Sequence, residues 1–324
     1  MMILPPRDFS KIMGQPFPPA LEVRELEGLI PGIPDGLVAL AAPVIAYWVL
    51  SIFFHILDVY ELAEKYRIHP SEEETSRNKV TMKEVIGEVL LQHFLQTVAG
   101  LVVYFFEPKQ KTGFEMSEMW HWKQKVPFAP DILVWFAYMY GISTIKILVA
   151  FFVIDTWQYF LHRLMHLNKT LYRKFHSVHH RLYVPYAFGA LYNNPVEGLL
   201  LDTASGGLGG LLACLTQREA IIMYTVATMK TVDDHCGFRL PFDVFYIIFP
   251  NNSLYHDIHH QQWGIKNNFS QPFLTFWDCL GGTDYKFADE YKQLQHKITL
   301  DKYKEFLQKK ENKKRMHMSK TKSD

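Results

Sequence analysis

The sequence lacks the features by which several common protein classes are recognised. Its three cysteines, Cys214, Cys236 and Cys279, form no CxxC pair and no metal-binding spacing, so we expect them to be reduced and structural. It contains no P-loop and no CxxCH haem-attachment motif, and it therefore carries no visible electron donor of its own. Its 34 basic and 33 acidic residues give a net charge of +1, so no overall field favours binding to nucleic acid.

Charged residues are also missing from one long apolar run. Residues 37–57 contain no Asp, Glu, Lys or Arg and are long enough to span a bilayer. Residues 85–106 and 132–154 are further candidate spans, and 198–232 is expected to form a hairpin of short membrane helices; buried core helices are the alternative for each. The mean hydropathy is only −0.06, so much of the chain must lie outside the membrane. We therefore predict an all-α integral membrane protein with about four transmembrane helices and a cytosolic, helical, histidine-rich catalytic cap.

Composition divides the chain into four parts. We expect an N-terminal segment over residues 1–36 and transmembrane helices with their connecting loops over 37–154. A catalytic domain is expected over 155–290, with the membrane hairpin near 198–232 inside it. Residues 291–324 are expected to be a basic cytosolic tail.

Positive charge predicts the orientation of the chain. Lysine and arginine are enriched over 58–83 and again after residue 154, and the positive-inside rule then places both regions in the cytosol. Lys320 and Lys322, five and three residues from the C-terminus, are similar to the dilysine retrieval signal of endoplasmic reticulum membrane proteins. We expect an endoplasmic reticulum membrane protein whose active site and C-terminus face the cytosol.

Histidine is the residue type that is unusually abundant, with 15 in 324 residues. Eight of them fall in three short motifs, HxxxH, HxxHH and a second HxxHH. Residues at i, i+3 and i+4 share one face of a helix, so we expect each motif to aim its imidazoles at one point. Neutral imidazole is the commonest metal ligand among side chains. The eight are His162, His166, His176, His179, His180, His256, His259 and His260. Because one ion cannot hold eight ligands, the motifs predict a site for two metal ions.

Several chemistries could use such a site. A zinc-dependent membrane hydrolase is one alternative, but no motif contains the Glu of HExxH, and Asp257 would lie about 100° around a helix from His256. A metal transporter would carry its histidines inside the membrane spans, whereas these lie outside the expected spans. A metal-binding regulatory protein is a third alternative. Imidazole ligands suit iron, and two irons can share the electrons needed to split dioxygen, so lipid oxidation is the reading that we favour.

The three motifs, in this order, resemble the fatty acid hydroxylase superfamily of membrane di-iron enzymes. The strings between and around them resemble one branch of it, the sphinganine C4-hydroxylases, especially the fungal form. These strings are DTWQY at 155–159, RLYVPY at 181–186, GALYN at 189–193, TVDDHCG at 231–237, YHDIHHQ at 255–261, NFSQPF at 268–273 and WD at 277–278. The resemblance covers residues 150–285 closely and the N-terminal spans more loosely.

The resemblance implies hydroxylation of carbon 4 of sphinganine or dihydroceramide, which gives phytosphingosine-type lipids. It also implies two iron ions, dioxygen, and electrons from NAD(P)H through cytochrome b5 and its reductase; zinc could replace iron in a purified sample. The expected partners are the lipid bilayer, the long-chain base or ceramide substrate and cytochrome b5, with ceramide synthase as a further candidate and no nucleic acid.

The same resemblance assigns the eight histidines as metal ligands and adds His235 as a ninth. Many members of the superfamily have His before the Pro of a Pro-x-Glu motif, but this chain has Asn194 before Pro195 and Glu197. Asn194 is therefore a candidate additional ligand or supporting residue, as is Asp257. A sterol C4-methyl oxidase and a fatty acid 2-hydroxylase stay open as alternatives within the superfamily, because sequence alone does not locate the residues of the substrate tunnel.

Overall fold

The computed structural model describes residues 5–320 of the chain, with side chains up to residue 312. Lys322, part of the expected dilysine signal, lies outside this range. The N-terminal elements are α1 (Phe9–Met13), β1 (Arg24–Glu25), α2 (Asp35–Val59), α3 (Ser71–Arg77), α4 (Met82–Phe106), β2 (Lys111–Thr112), α5 (Glu115–Lys125) and α6 (Asp131–Phe136). The strands β1 and β2 are two residues long and pair as an antiparallel ladder. The other elements of the described chain are helical, so the prediction of an all-α protein is confirmed.

The second half of the described chain carries the predicted site. Its helices are α7 (Ile142–Leu167), α8 (Lys169–Leu171), α9 (Pro195–Gly198), α10 (Ala204–Leu212), α11 (Gln217–Asp234), α12 (Val244–Ile248), α13 (Ser253–His260), α14 (Phe276–Gly281) and α15 (Ala288–Lys320). Three π-helical segments lie among them, at Ala137–Gly141, Tyr172–His176 and Leu199–Thr203. The first of these joins α6 to α7 without interruption.

Three helical stretches are long and apolar enough to cross a membrane. They are Asp35–Val59, Met82–Phe106 and Asp131–Leu167. Large apolar side chains on them, such as Ile45, Val103 and Ile145, are each more than 60% exposed, which suits a lipid environment and would be unfavourable in water. About four spans were expected. Residues 198–232 form the short α10 and the more polar α11, and neither is among the three candidate spans that the described residues contain.

The third span is longer than the sequence predicts. Its apolar part ends near Ile154, where a boundary was expected, but α7 continues unbroken to Leu167. A change from apolar to polar side chains does not end a helix, whereas Gly or Pro does, and residues 155–167 contain neither. His162 and His166 therefore lie on the extension of a membrane span.

The helices α10 and α11 pack against the spans. α11 lies against α2, and α10 lies against α7, where a Cβ on Gly209 would come within 3.1 Å of the Ala150 carbonyl oxygen. The glycine-rich run at 205–210 thus allows close helix approach. At the start of α11, Glu219 forms a capping box with Thr216 and an ion pair of 2.5 Å with Lys146 of α7. The lysine inside the third span is therefore paired.

Residues 182–192 attach the second histidine motif to the spans. The Tyr47 hydroxyl on α2 donates a hydrogen bond of 2.6 Å to the Phe188 carbonyl. Leu182, Tyr192 and Tyr47 are all buried in one apolar core with residues of α2 and α4. This core holds the chain that follows His179 and His180 in a fixed position against the membrane helices.

Two buried carboxylates hold the loop between α13 and α14. Asp278 accepts hydrogen bonds from the main-chain N–H groups of Phe269 and Ser270, at 3.0 and 2.6 Å, and from the hydroxyls of Tyr255 and Thr283. Asp155 on α7 accepts the N–H groups of residues 273 and 274 in the same way. Because every group around Asp278 is a donor, only an acceptor with two free oxygens fits there.

We expect Asp278→Asn to lower the free energy of unfolding by about 2–4 kcal/mol, because the new amide N–H₂ faces donors and leaves them unpaired. Thermal unfolding of the detergent-solubilised protein measures the loss. The control is Asp284→Asn, at an exposed pair with Lys286, where we expect a change below about 0.5 kcal/mol. Equal melting temperatures for the two variants would contradict this account of the loop.

Candidate metal centre

The nine predicted histidines come together in two adjacent groups. In each group, one ring nitrogen of every member lies within 4.8 Å of those of the others. The five-histidine group is His162, His166, His176, His180 and His259, and the four-histidine group is His179, His235, His256 and His260. All are buried except His166, which is partly exposed. The structure thus places all nine predicted residues close together, in two groups.

Each HxxHH motif is divided between the two groups, although one target point was expected for each. In the second motif His176 and His180 join the five-histidine group while His179 turns to the other. In the third motif, at 256–260, His256 and His260 join the four-histidine group, and His259 joins the five-histidine group. Positions i and i+4 thus share one target and position i+3 takes the other, so both motifs tie the two groups together.

The ring nitrogens in each group have the separations expected of ligands on one ion. Nε2 of His176 lies 3.0 Å from that of His162 in the five-histidine group. Nε2 of His256 lies 3.0 Å from those of His235 and His260 in the other. Two imidazoles bound at right angles to one ion, at ~2.1 Å each, would be about 3 Å apart. The donor set therefore fits one metal ion in each group.

Hydrogen bonds to the opposite ring nitrogen, Nδ1, fix the tautomer of most of these rings. Five Nδ1 atoms lie within 3.1 Å of a main-chain carbonyl oxygen: those of His162 with Phe269, His179 with Tyr192, His235 with Thr231, His259 with Asn267 and His260 with Leu182. A carbonyl only accepts, so each ring carries its proton on Nδ1 and turns the lone pair of Nε2 into the group. Nε2 of His259 is buried with no hydrogen-bond partner in the described chain. Such a set of lone pairs could hold a cation.

Glu197 supports the five-histidine group from outside. Its Oε1 lies 2.5 Å from Nδ1 of His176, and both side chains are almost completely buried. A carboxylate that accepts the Nδ1 proton of a ligand makes that ligand more basic and fixes its orientation. Burial, together with the charge of Asp202, raises the pKa of Glu197 well above its usual value, and a cation bound beyond His176 would offset this cost.

Burial keeps the histidines neutral at physiological pH. It lowers the pKa of His179 to about 4. Burial and the neighbouring imidazoles lower the pKa of His176, His180 and His256 well below the usual value. Neutral imidazole is the form that binds metal, and protonation would compete with it. The site is thus prepared for metal across the neutral pH range.

A cavity borders both groups. His176 of the five-histidine group and His179, His235 and His256 of the four-histidine group form part of its wall. Other parts of the wall are Gln158, Asn193, Leu201, Asp202, Asp234 and Pro272. A reactant in this cavity would lie next to both groups.

The structure does not bring the two remaining predicted residues into either group. The Asn194 side-chain oxygen accepts a hydrogen bond of 3.0 Å from the N–H of Val196 and so caps α9. The Asp257 carboxylate lies 3.0 Å from Nε2 of His69 and accepts a hydrogen bond from the Tyr291 hydroxyl at 2.8 Å. The side chains of Asn194 and Asp257 therefore make structural contacts, and neither belongs to a histidine group.

His69 is a buried residue that the sequence did not single out. Its Nδ1 lies 3.0 Å from Glu73 and its Nε2 lies 3.0 Å from Asp257. Burial alone would lower the pKa of His69, but the charges of Asp257 and Glu73 and their hydrogen bonds outweigh it and raise the pKa to about 9. The protonated ring thus links α13, which carries three of the converging histidines, to α3. No repeated spacing marks His69, so the sequence contains no signal for it. Glu197 stands in the Pro-x-Glu motif, but that motif drew attention to Asn194 and did not predict the contact of Glu197 with His176.

Comparison with known proteins gives one family. The fatty acid hydroxylase family model matches residues 147–283. A sphingolipid C4-hydroxylase of Saccharomyces cerevisiae is 58% identical over 90% of this chain and 84% of its own length. A sphinganine C4-monooxygenase of Arabidopsis thaliana is 41% identical over 81% of this chain and 92% of its own length. No solved structure gives a significant match.

A third relative bears on the sterol alternative. A methylsterol monooxygenase of Gallus gallus is 27% identical over 79% of this chain and 78% of its own length. The chain is thus much less similar to this sterol enzyme than to the two sphingolipid enzymes.

We expect Glu197→Ala to weaken metal binding at the five-histidine group by about 10- to 100-fold, because His176 loses the carboxylate that orients it. Metal content after titration with a chelator measures the effect. The matched control is Glu197→Gln, which keeps an acceptor for Nδ1–H and should lose less. Full metal retention by the alanine variant would contradict the role of Glu197.

We expect His69→Gln to destabilise the protein in a pH-dependent way. The folded pKa of about 9 lies above the ordinary value near 6.5, so the stabilisation is fully present below pH 6.5 and is lost as the pH rises through 9. The variant should lose on the order of 2–3 kcal/mol at pH 6.5 and much less at pH 9.5. Melting curves at the two pH values measure this.

The control for that measurement is His296→Gln, at an exposed position on α15. It should leave the melting temperature unchanged at both pH values. A loss in His69→Gln that is the same at pH 6.5 and pH 9.5 would show that the charge of His69 contributes nothing.

Proposed function

The chain belongs to the fatty acid hydroxylase family, and we propose that it hydroxylates carbon 4 of a dihydro long-chain base or its ceramide. The observation that carries the proposal is the pair of histidine groups at one cavity, with two of the nine histidines on the extension of a membrane span. The strong likeness to two sphingolipid C4-hydroxylating enzymes supports the choice of substrate and position. The product is a phytosphingosine-type lipid.

We propose that the two groups hold two iron ions, one each. Nine imidazoles suit iron, and they also bind zinc readily, so zinc could replace iron during purification. The fit rests on the ring separations near 3 Å, the fixed Nδ1 protons and the orphan Nε2 of His259. Neither Asn194 nor Asp257 is included in the proposed ligand set.

The overall reaction balances as substrate C–H plus dioxygen, two electrons and two protons, giving substrate C–OH and water. Bound iron would supply the activation of dioxygen and the oxidant that attacks the C–H bond. The residues of the chain orient and protect this chemistry. Carbonyl contacts hold the rings of His162, His179 and His260 in place, and the burial of the groups limits access of water, which would otherwise compete with the substrate.

We propose that another protein supplies the electrons. The chain has no nucleotide-binding or haem-attachment motif, which supports NAD(P)H, cytochrome b5 and its reductase as the supply. The long-chain substrate would enter from the bilayer, and ceramide synthase is a further candidate partner. We propose an endoplasmic reticulum location with the metal groups on the cytosolic side, supported by the basic stretches at 58–83 and after 154.

The alternatives are weaker. A fatty acid 2-hydroxylase would use the same histidines, but neither sphingolipid relative carries that name. A zinc hydrolase is disfavoured because, within the described chain, neither group contains a carboxylate that could bridge two metal ions, and neither sphingolipid relative carries the name of a hydrolase. It would also need neither dioxygen nor a reductant.

Expression in a host that lacks 4-hydroxylated long-chain bases tests the proposal. We expect 4-hydroxysphinganine to appear, and membranes supplied with sphinganine and NADPH to form it only in the presence of dioxygen. His179→Ala should be inserted in the membrane but inactive, because the four-histidine group loses a ligand. Consumption of a 4-methylsterol with sphinganine left untouched would contradict the proposal.

A further inference from the structure

Asp202 is a cavity carboxylate to which the proposed chemistry gives no role. It lies on the π-helical segment Leu199–Thr203 and borders the same cavity as His176 and His256. The histidines of this cavity wall are buried, and Asp202 lies in the wall beside them. Asp202 therefore faces the space next to the metal groups.

Asp202 has no cationic partner in the part of the chain that the structure describes. Its Oδ2 accepts one long hydrogen bond, 3.4 Å, from Nδ2 of Asn193. Asp234, in the same wall, is different, because the buried Lys230 forms an ion pair with it. A carboxylate held away from bulk water without a counter-charge is unfavourable. Asp202 is thus suited to form an ion pair with a cationic group of a ligand.

A second polar atom borders the same space. Oε2 of Glu197 is buried and has no hydrogen-bond partner among the described side chains, and Glu197 also forms part of the cavity wall. Buried acceptors are nearly always satisfied in folded proteins. The cavity therefore presents two acceptors, on Asp202 and Glu197, and both suit a ligand that carries N–H or O–H groups.

The substrate chemistry matches these acceptors. This step rests on the proposed function. Sphinganine carries an ammonium group on carbon 2 and hydroxyls on carbons 1 and 3, so the nitrogen is only two carbons from the carbon that is hydroxylated. When carbon 4 is next to the metal groups, the nitrogen is therefore close to the cavity wall that Asp202 and Glu197 help to form.

We propose that Asp202 binds the ammonium group of the long-chain base, with Asn193 holding the carboxylate in position. The ion pair fixes the distance along the chain between the head group and the reacting carbon, and so directs hydroxylation to carbon 4. Because the nitrogen of a ceramide is an uncharged amide, the ion pair also favours the free base over the ceramide.

Asp202→Asn in the full-length, metal-loaded enzyme tests this assignment. The substitution keeps the shape and removes the charge, so KM for sphinganine should rise by about tenfold or more. KM for dihydroceramide should change by less than about threefold, because its nitrogen carries no charge. Asp202→Glu, which keeps the charge, should retain most of the preference for sphinganine. An unchanged KM for sphinganine, or an equal rise for both substrates, would overturn the assignment.

The matched control is Thr203→Val, at the next residue of the same segment. The Thr203 hydroxyl is buried with no hydrogen-bond partner in the described chain, and the residue does not border the cavity. Both KM values should stay at the wild-type level. A rise like that of Asp202→Asn would mean that any change in this segment disturbs the site, and it would overturn a specific role for Asp202.

Inhibition of the wild-type enzyme tests the same point without a variant. Octadecylamine should compete with sphinganine at about tenfold lower concentration than octadecanol, which has the same chain length but no charge. Equal inhibition by the two would contradict the ion pair. A wild type that hydroxylates only dihydroceramide would overturn the role of Asp202 but leave C4 hydroxylation intact, whereas no C4 hydroxylation at all would contradict the proposed function.

Discussion

The structure depends on the convergence of nine imidazole nitrogens at two neighbouring points. Lone pairs that face one another at about 3 Å, as those of His162 and His176 do, repel in the absence of a cation. Contacts on the opposite side of the rings offset this repulsion. Main-chain carbonyl oxygens accept hydrogen bonds from Nδ1 in five of the nine histidines. A carbonyl cannot donate, so the contact leaves the ring no other tautomer. The ligand geometry is therefore built into the backbone.

Buried carboxylates hold that backbone in place. Asp278 binds the N–H of Phe269, whose carbonyl in turn receives the proton of His162. Asp257 fixes α13 through His69, and Glu197 contacts the His176 ring itself. None of these carboxylates belongs to either histidine group. Each of them nevertheless determines the position of a histidine ring or of the carbonyl that orients the ring. The supporting contacts are therefore as specific as the ligands.

The sequence predicts features that follow a regular pattern. It does not predict the roles of single residues that depend on contacts far along the chain. The three histidine motifs and the three long apolar runs are regular patterns, and the structure has both. The rule that positions i, i+3 and i+4 share one helix face did not predict the division of each HxxHH between two groups. Residues 172–176 and 179–181 are π-helical and 3₁₀-helical in place of one α-helix, but the HxxHH at 256–260 is divided within the regular helix α13. The target of each ring therefore depends on contacts from outside its own helix. The membrane hairpin expected near 198–232 stays a prediction, because α11 has an apolar stretch over only part of its length. His69 is a single residue whose role depends on a contact 188 residues away in the chain, and the motif that contains Glu197 did not predict its contact with His176.

The unbroken α7 relates the metal groups to the membrane. Its apolar part ends near Ile154 and His162 lies eight residues later, which places the histidine about 12 Å further along the helix axis. An acyl chain could remain in the bilayer while only its polar end reached the cavity. A reaction near the head of a lipid is therefore easier to accommodate than one at mid-chain. A charged group in the cavity wall would then stop the head group at a fixed depth, so the rigid helix and Asp202 would together select the carbon that meets the oxidant.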